Sequence, residues 1–281
     1  MRNLKAYNID SFEFYKEIVN KKRNSVKDPT YKTRLATFET NIETLYKQYD
    51  DEFATDTLPT LRPHGYRDQD EKDLVSLYSY QNSKMQNLKI ALTTNEQNRK
   101  VSTCQHCTIG EVNSFDHFVP KGEFAEFSVH PKNLIPSCSK CNSYKSTGWR
   151  NNNNRLFLNL YLDTLPDLQY LFVNLTVTDK DVSTTFYLDN RNGIDVKMYT
   201  LLEQHYRSLD LFNRFNENID DVVEELEADM RSGMEKLSFE DAKNVSISSS
   251  NKKRTVFGAN YWKSILELAL LDNQDFRSRF V

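Results

Sequence analysis

The sequence contains little glycine and no long apolar run. Only seven of its 281 residues are glycine and 38% are hydrophobic, a composition typical of a polar, helix-rich soluble protein. No stretch of about 18 apolar residues is present to span a membrane, and the N-terminus lacks the apolar segment of a signal peptide. We therefore expect a cytoplasmic protein. Its length suffices for one large domain or two small ones with real cores.

A strong excess of one charge is also missing. The formal net charge is −3, which argues against a surface that binds nucleic acid over its whole extent. Residues 101–155 differ from the rest, because they carry six basic side chains against four acidic ones. Four of these basic residues are candidates for phosphate contacts or, alternatively, for ordinary solvated charges: Lys140, Lys145, Arg150 and Arg155.

Cysteine is rare, and its placement is informative. The four cysteines form two C-x-x-C pairs with 30 residues between them, at 104–107 and 138–141. Two such pairs complete a tetrahedral shell of thiolates, the usual structural zinc site. Disulfides belong to oxidising compartments, and a thioredoxin-like centre needs one pair rather than two. We predict a structural zinc bound by Cys104, Cys107, Cys138 and Cys141, with His106 as a less favoured ligand.

Side chains suited to phosphodiester hydrolysis lie between and beside these pairs. His117 can accept a proton from water near neutral pH. Asp116 and Asn142 offer oxygen ligands of the kind that Mg²⁺ prefers. Successive side chains of a strand point to opposite faces, which suits a carboxylate on a metal and an imidazole on water. Asn133 fits a turn, and His130 is predicted to be a loop residue rather than a second base.

The order C-x-x-C, D-H-x-x-P-K and N-L-x-P-x-C-x-x-C-N-x-x-K over residues 104–145 resembles the HNH endonucleases, whose fold is a ββα-metal unit. The resemblance implies that His117 is the general base and that Asp116 and Asn142 bind a catalytic Mg²⁺ or Mn²⁺. It also implies that Asn133 braces the hairpin and orients His117, and that Lys145 lies near the phosphate. No position of the motif is missing.

A broader resemblance extends beyond the motif. The opening MRNL, the segment DHFVPKGEFAEFSVHPKNLIPSC and the later FLNLYLD resemble a group of full-length bacterial HNH proteins that are often encoded beside an ATPase and associated with anti-phage defence. This resemblance implies a nuclease effector with an ATPase partner subunit. The chain has no P-loop or other nucleotide-binding motif, so any ATP would be bound by the partner.

Two alternative functions remain open. A non-catalytic zinc-ribbon adaptor that binds nucleic acid or protein would need the cysteines, but it has no use for D-H and C-N-x-x-K. A toxin-like ribonuclease would use the same chemistry on RNA. DNA is the favoured substrate, although the motif engages the backbone rather than the bases or the 2′-hydroxyl.

The remaining sequence predicts a mainly helical α+β protein. Residues 1–98 form a helical region, residues 99–165 the nuclease core with its zinc site, and residues 166–281 a hairpin followed by helices. Within the last region, segments 170–177 and 183–188 read as the strands of the hairpin.

Local patterns place the helices of the first region. Asp10 and Glu13 have the spacing of a capping box, and apolar residues spaced by three and four predict amphipathic helices over 31–53 and 74–92. Serines dominate residues 246–251, which are predicted to be a flexible linker.

Overall fold

A computed structural model describes residues 1–95 and 98–280. In these ranges about half of the residues are helical, and the strands form three small antiparallel sheets. The predicted α+β class is therefore confirmed. The helices are α1 (Ser11–Lys21), α2 (Tyr31–Thr37), α3 (Glu39–Ala54), α4 (Asp68–Val75), α5 (Ser83–Thr93), α6 (Ser139–Lys145), α7 (Val196–Ser208), α8 (Leu211–Asn216), α9 (Asp220–Met234), α10 (Phe239–Phe257), α11 (Trp262–Asp272) and α12 (Gln274–Arg277). The strands are β1 (Ser114–His117), β2 (Leu134–Ser137), β3 (Arg150–Asn151), β4 (Asn154–Arg155), β5 (Leu171–Val177) and β6 (Val182–Leu188).

The chain divides into two compact units. One comprises residues 3–106 and 110–164, and the other comprises residues 1–2, 107–109 and 165–281. Within the described ranges, no helix is both long enough and apolar enough to cross a lipid bilayer.

The first unit has an aromatic core built largely by α1 and α3. The α1 helix begins as predicted, because the Asp10 carboxylate accepts a hydrogen bond from the Glu13 amide at 2.8 Å. Tyr46 and Tyr49 of α3 are buried and contact the ring of Phe127. The core thus fixes the short 3₁₀ turn at 125–127, which lies next to the candidate site.

Both predicted amphipathic helices of this unit are interrupted, so the expectation of unbroken helices is wrong. The first stretch divides at Phe38 into α2 and α3. The second ends at Val75 and resumes at Ser83. The aromatic residues between these two points, Tyr78 and Tyr80, form tertiary contacts instead of continuing the helix. The hydroxyl of Tyr78 accepts a hydrogen bond from the Phe115 amide at 3.4 Å, and the Tyr80 ring packs on the Phe115 ring.

A hairpin followed by a short helix carries the motif. Strands β1 and β2 pair antiparallel, with Asp116 opposite Ile135 and His117 opposite Leu134. The α6 helix follows β2 directly, and Cys138 is its N-cap. The order is therefore β1, β2, α6, with the Asp-His doublet at the end of the first strand.

The second unit contains the predicted hairpin and a helical bundle. Strands β5 and β6 pair over seven residues each, as the alternating pattern indicated. The Asn260 amide oxygen accepts bonds from the amides of Tyr170 and Leu171 and so anchors the start of β5.

The serine-rich segment is not a linker but part of α10. The hydroxyl of Ser250 is buried and bonds to the carboxylate of Glu267 on α11 at 2.7 Å. Lys253 on the next turn donates to the same carboxylate at 2.6 Å. These contacts with α11 stabilise a helical conformation that the composition alone disfavours, and the linker prediction is wrong.

Candidate metal centre and catalytic cleft

The four cysteines come together as a buried group. None of them forms a disulfide, and their sulfur atoms all lie within 4.8 Å of one another. In the ranges the structure describes, this is the one cluster of histidine, cysteine or carboxylate side chains arranged to hold a metal. His106 is buried nearby but is not a member of that cluster. Four close thiols form the soft donor set that suits tetrahedral Zn²⁺.

Backbone groups around the cysteines favour bound thiolates. The Cys141 amide donates to the Cys138 sulfur, and the Ile109 amide donates to the Cys107 sulfur, each at 3.4 Å. Amide hydrogen bonds of this kind stabilise negative charge on sulfur ligands. A Cβ atom at Gly110 would lie 3.2 Å from the Cys138 Cβ, so the glycine permits the close approach of the two segments. The residues present therefore fit a zinc ion.

Three of the five residues predicted for catalysis line one open cleft, whereas Asn133 and Lys145 are buried and do not line it. Its volume is about 450 Å³, and its walls include Asp116, His117 and Asn142. The first two come from the end of β1 and the third comes from α6. The structure thus brings the proposed base and both proposed Mg²⁺ ligands to a single surface.

The surroundings of His117 fix its protonation state. Its Nε2 lies 2.9 Å from the backbone oxygen of Ser128. Because a carbonyl oxygen only accepts hydrogen bonds, Nε2 must carry the proton, and Nδ1 keeps its lone pair. Burial, with the positive charge of Lys121 nearby, lowers the pKa of His117 to about 4. At neutral pH the imidazole is consequently uncharged and able to accept a proton.

Asp116 forms a buried ion pair. Its Oδ1 accepts a bond from the Lys145 ammonium at 3.0 Å, and the side chains are only 4% and 3% exposed. The same ammonium donates to the backbone oxygen of His117 at 2.7 Å. Lys145 therefore ties the last turn of α6 to the end of β1, with its charge directed inward.

Asn133 is the most extensively bonded of the predicted residues. Its amide oxygen accepts from the Val119 amide at 2.8 Å and from the Tyr49 hydroxyl at 3.2 Å. Its amide nitrogen donates to the carbonyls of Val119 and Phe127, both at 3.1 Å. Phe127 immediately precedes Ser128, whose carbonyl holds the imidazole. Asn133 thus links the segment after β1 to the turn that orients His117.

Asn142 lies one helical turn beyond Cys138. Its amide nitrogen is 3.5 Å from the Phe115 carbonyl, a long contact, which orients the side chain beside the end of β1. The carboxylate of Asp116 and the amide oxygen of Asn142 are hard donors of the type that Mg²⁺ takes. These two residues are the predicted ligands of a divalent cation, and both line the cleft.

Other predicted residues have different surroundings. Arg150 donates to the carbonyls of Pro59 and Leu61 and pairs with Glu123, and Arg155 pairs with Asp163. Both guanidinium groups are thus engaged within the protein. His130 is fully buried against the rings of Tyr46 and Tyr49, away from the cleft walls.

Three groups near His117 had no role in the sequence interpretation. Tyr78 packs edge-on against His117 with 4.6 Å between the ring centroids, and the Lys121 ammonium lies 4.7 Å from the centre of the Tyr78 ring. The lysine belongs to the quoted D-H-x-x-P-K motif, so a signal for it existed. The third group is the carbonyl of Ser128. It belongs to the backbone, so the residue type could not have indicated its role.

Comparisons with known proteins find two partial similarities. The chain is 28% identical over 144 residues to the Septu protein PtuB of Bacillus thuringiensis, a match that covers 47% of this chain and 54% of that protein. It is 50% identical over 40 residues to protein ea31 of Escherichia phage lambda, which covers 14% of each chain. No protein-family model matches, and no solved structure matches significantly. The chain therefore spans at most about half the length of these relatives.

Proposed function

We propose that this protein is a metal-dependent endonuclease of the HNH type that hydrolyses phosphodiester bonds in nucleic acid, with DNA as the favoured substrate. The observation that carries the proposal is the cleft in which a neutral histidine, a carboxylate and an amide oxygen meet. Phosphodiester hydrolysis needs a base for water and a cation for the developing negative charge, and this cleft offers groups for both.

Each residue has a defined task in the proposed reaction. His117 takes a proton from the attacking water at Nδ1, since Nε2 is committed to the Ser128 carbonyl. Asp116 and Asn142 would hold the divalent cation, which would neutralise charge on the phosphate and the leaving oxygen. Asn133 keeps the imidazole in place through the 127–128 turn. By the resemblance to HNH enzymes, the products carry a 5′-phosphate and a 3′-hydroxyl.

The zinc group has a structural task in this proposal. Four sulfur ligands leave no open position for water, so the ion would stabilise the fold rather than take part in hydrolysis. Because Cys138 and Cys141 flank the first turn of α6, zinc binding would also set the position of Asn142 in the cleft.

We further propose that the protein is the nuclease effector of an anti-phage defence system. The distant similarity to the Septu protein PtuB supports this role. In this proposal residues 99–165 form the nuclease core, and the flanking regions 1–98 and 166–281 dock a partner subunit, an ATPase, that restrains the nuclease until infection. Copurification from the native operon tests this part of the proposal, and a monomer with full unregulated activity would contradict it.

The decisive experiment is a cleavage assay with the purified, zinc-loaded protein. Plasmid DNA, linear DNA and RNA are each incubated with Mg²⁺, with Mn²⁺ and without added divalent ions. We expect metal-dependent cleavage of DNA by the wild type and its loss in His117→Ala. The matched control is His64→Ala, because His64 is exposed and lies outside the cleft.

Each alternative predicts a different result. Cleavage of RNA alone would identify a ribonuclease. Binding of nucleic acid without any cleavage, under all metal conditions, would favour the zinc-ribbon adaptor. Equal cleavage by His117→Ala and the wild type would overturn the assignment of the base.

A further inference from the structure

The cleft has two lysines beside it, and they differ in their surroundings. The Lys145 ammonium is buried, and it is bonded to Asp116 and to the His117 carbonyl. To reach a ligand in the cleft it would have to break both bonds and leave a buried carboxylate without its counter-ion, which is costly. Lys121 instead lines the cleft and is only partly buried.

An aromatic ring holds the Lys121 ammonium next to the base. The cation lies 4.7 Å from the centre of the Tyr78 ring, and the same ring packs against His117. A cation over a ring face is attracted by the ring quadrupole, but the contact does not engage the ammonium with an ionic acceptor. The three N–H donors of the lysine therefore stay available for an anion.

In the part of the chain that the structure describes, no carboxylate neutralises Lys121. Among residues 1–95 and 98–280 none forms an ion pair with it, and the acid nearest in sequence, Glu123, is engaged by Arg150 at 3.1 Å and by the Trp149 indole at 3.3 Å. Burial lowers the pKa of Lys121, because the ammonium has lost part of its hydration. A partly desolvated cation without a counter-ion gains free energy when an anion binds.

We infer that Lys121 is the residue that contacts the substrate phosphate in this cleft, and that Lys145 does not touch the substrate but positions Asp116. The inference rests on the proposed nuclease function and adds the residue that binds the substrate anion. It differs from the role that the HNH resemblance implies for Lys145. The cation–π contact with Tyr78 would place the phosphate within reach of a water molecule at His117.

Binding can be measured separately from cleavage. The probe is a short fluorescein-labelled DNA duplex, titrated by anisotropy at several salt concentrations without added divalent ions and without chelator, so that zinc is retained. Each phosphate contact of a lysine contributes about 0.9 to the slope of log K against log salt. We compare Lys121→Gln, Lys121→Arg and Lys145→Met with an exposed control on α3, Lys47→Gln.

Lys121→Gln should reduce the slope by about 1 and weaken binding, whereas Lys121→Arg should keep the slope. The Lys145→Met variant and the Lys47→Gln control should also keep the wild-type slope. In the cleavage assay, Lys121→Gln should lower kcat/KM by roughly 100-fold. An unchanged slope in Lys121→Gln would overturn the inference, as would an equal decrease in Lys145→Met of wild-type zinc content. If the wild type binds with these slopes but cuts nothing, the nuclease function fails while the lysine assignment stands.

Discussion

Replacing Asn133 by alanine should destabilise the unit that contains the cleft. The side chain is fully buried, and it bonds to the amide and the carbonyl of Val119, to the Phe127 carbonyl and to the Tyr49 hydroxyl. The Phe127 carbonyl would still accept a bond from the His130 amide at 3.2 Å. The two Val119 backbone groups would lose their partner inside the protein, and so would the Tyr49 hydroxyl.

The two Val119 backbone groups alone give a lower bound for the size of the effect. A buried polar group without a partner costs about 1–3 kcal/mol, so the variant should lose roughly 2–6 kcal/mol of unfolding free energy. That is a large part of the roughly 5–15 kcal/mol typical of a domain. With a urea m-value of about 1–3 kcal/mol/M, the unfolding midpoint should fall by about 1–3 M.

The two tryptophans make the assay specific to one unit. Trp149 lies in the unit with the cleft and is 2% exposed, and Trp262 lies in the other unit. In a Trp262→Phe background, the fluorescence change on urea unfolding therefore reports on Trp149 alone. Zinc is kept in excess, so that metal loss does not contribute to the shift.

Two further variants sharpen the result. Asn133→Asp has nearly the same shape but puts an acceptor opposite the Val119 and Phe127 carbonyls, so it should be at least as unstable at neutral pH. Asn153→Ala changes an exposed asparagine of the same unit and should alter the unfolding free energy by no more than about 0.5 kcal/mol. If Asn133→Ala shifted the midpoint no more than this control, the reasoning from buried hydrogen bonds would be refuted.

Three other predictions concern the metals and the base. Metal analysis should find one zinc per chain, and Cys138→Ser should unfold the cleft unit because ligation supplies folding free energy; a folded, zinc-free wild type would contradict this. Asn142→Ala and Asp116→Ala should need more Mg²⁺ or Mn²⁺ for half-maximal cleavage, and an unchanged metal titration would exclude them as ligands. The pKa of His117 is about 4 in the fold against 6.5 for a free imidazole, so its neutral form stabilises the fold fully above pH 6.5, and this contribution is lost as the pH falls through 4. Cleavage should accordingly show no inflection near pH 6.5 in a pH–rate profile, and a clear decrease there would show that the base titrates normally.

The local parts of the fold were predictable from the sequence. The capping box at Asp10, the β5–β6 hairpin and the spacing of the four cysteines depend on residues close together in the chain, so residue type carries the information. The breaks at Phe38 and after Val75 were not predictable in this way. The aromatics around the second break keep a helical period, yet their positions are set by contacts with Phe115, more than 30 residues away.

In the candidate site, too, some features were predictable from residue type and others depend on tertiary contacts. Residue types identified His117, Asp116 and Asn142 as a possible catalytic group, and the fold places all three at one cleft. The direction of the Lys145 side chain was not accessible, because its burial depends on how the last turn of α6 meets the end of β1. The tautomer of His117 likewise depends on the position of a backbone carbonyl, which cannot be inferred from residue types.

The shortness of α6 has a consequence for protein engineering. Seven residues are too few to form a stable helix in water by themselves, and this helix is held by the cysteines at its start and by the Lys145 ion pair at its end. A designer who transplanted only the Asp-His doublet and Asn142 onto another scaffold would move the proposed reactive groups without the contacts that orient them. The smallest portable form of the proposed site therefore includes both cysteine pairs and the buried lysine.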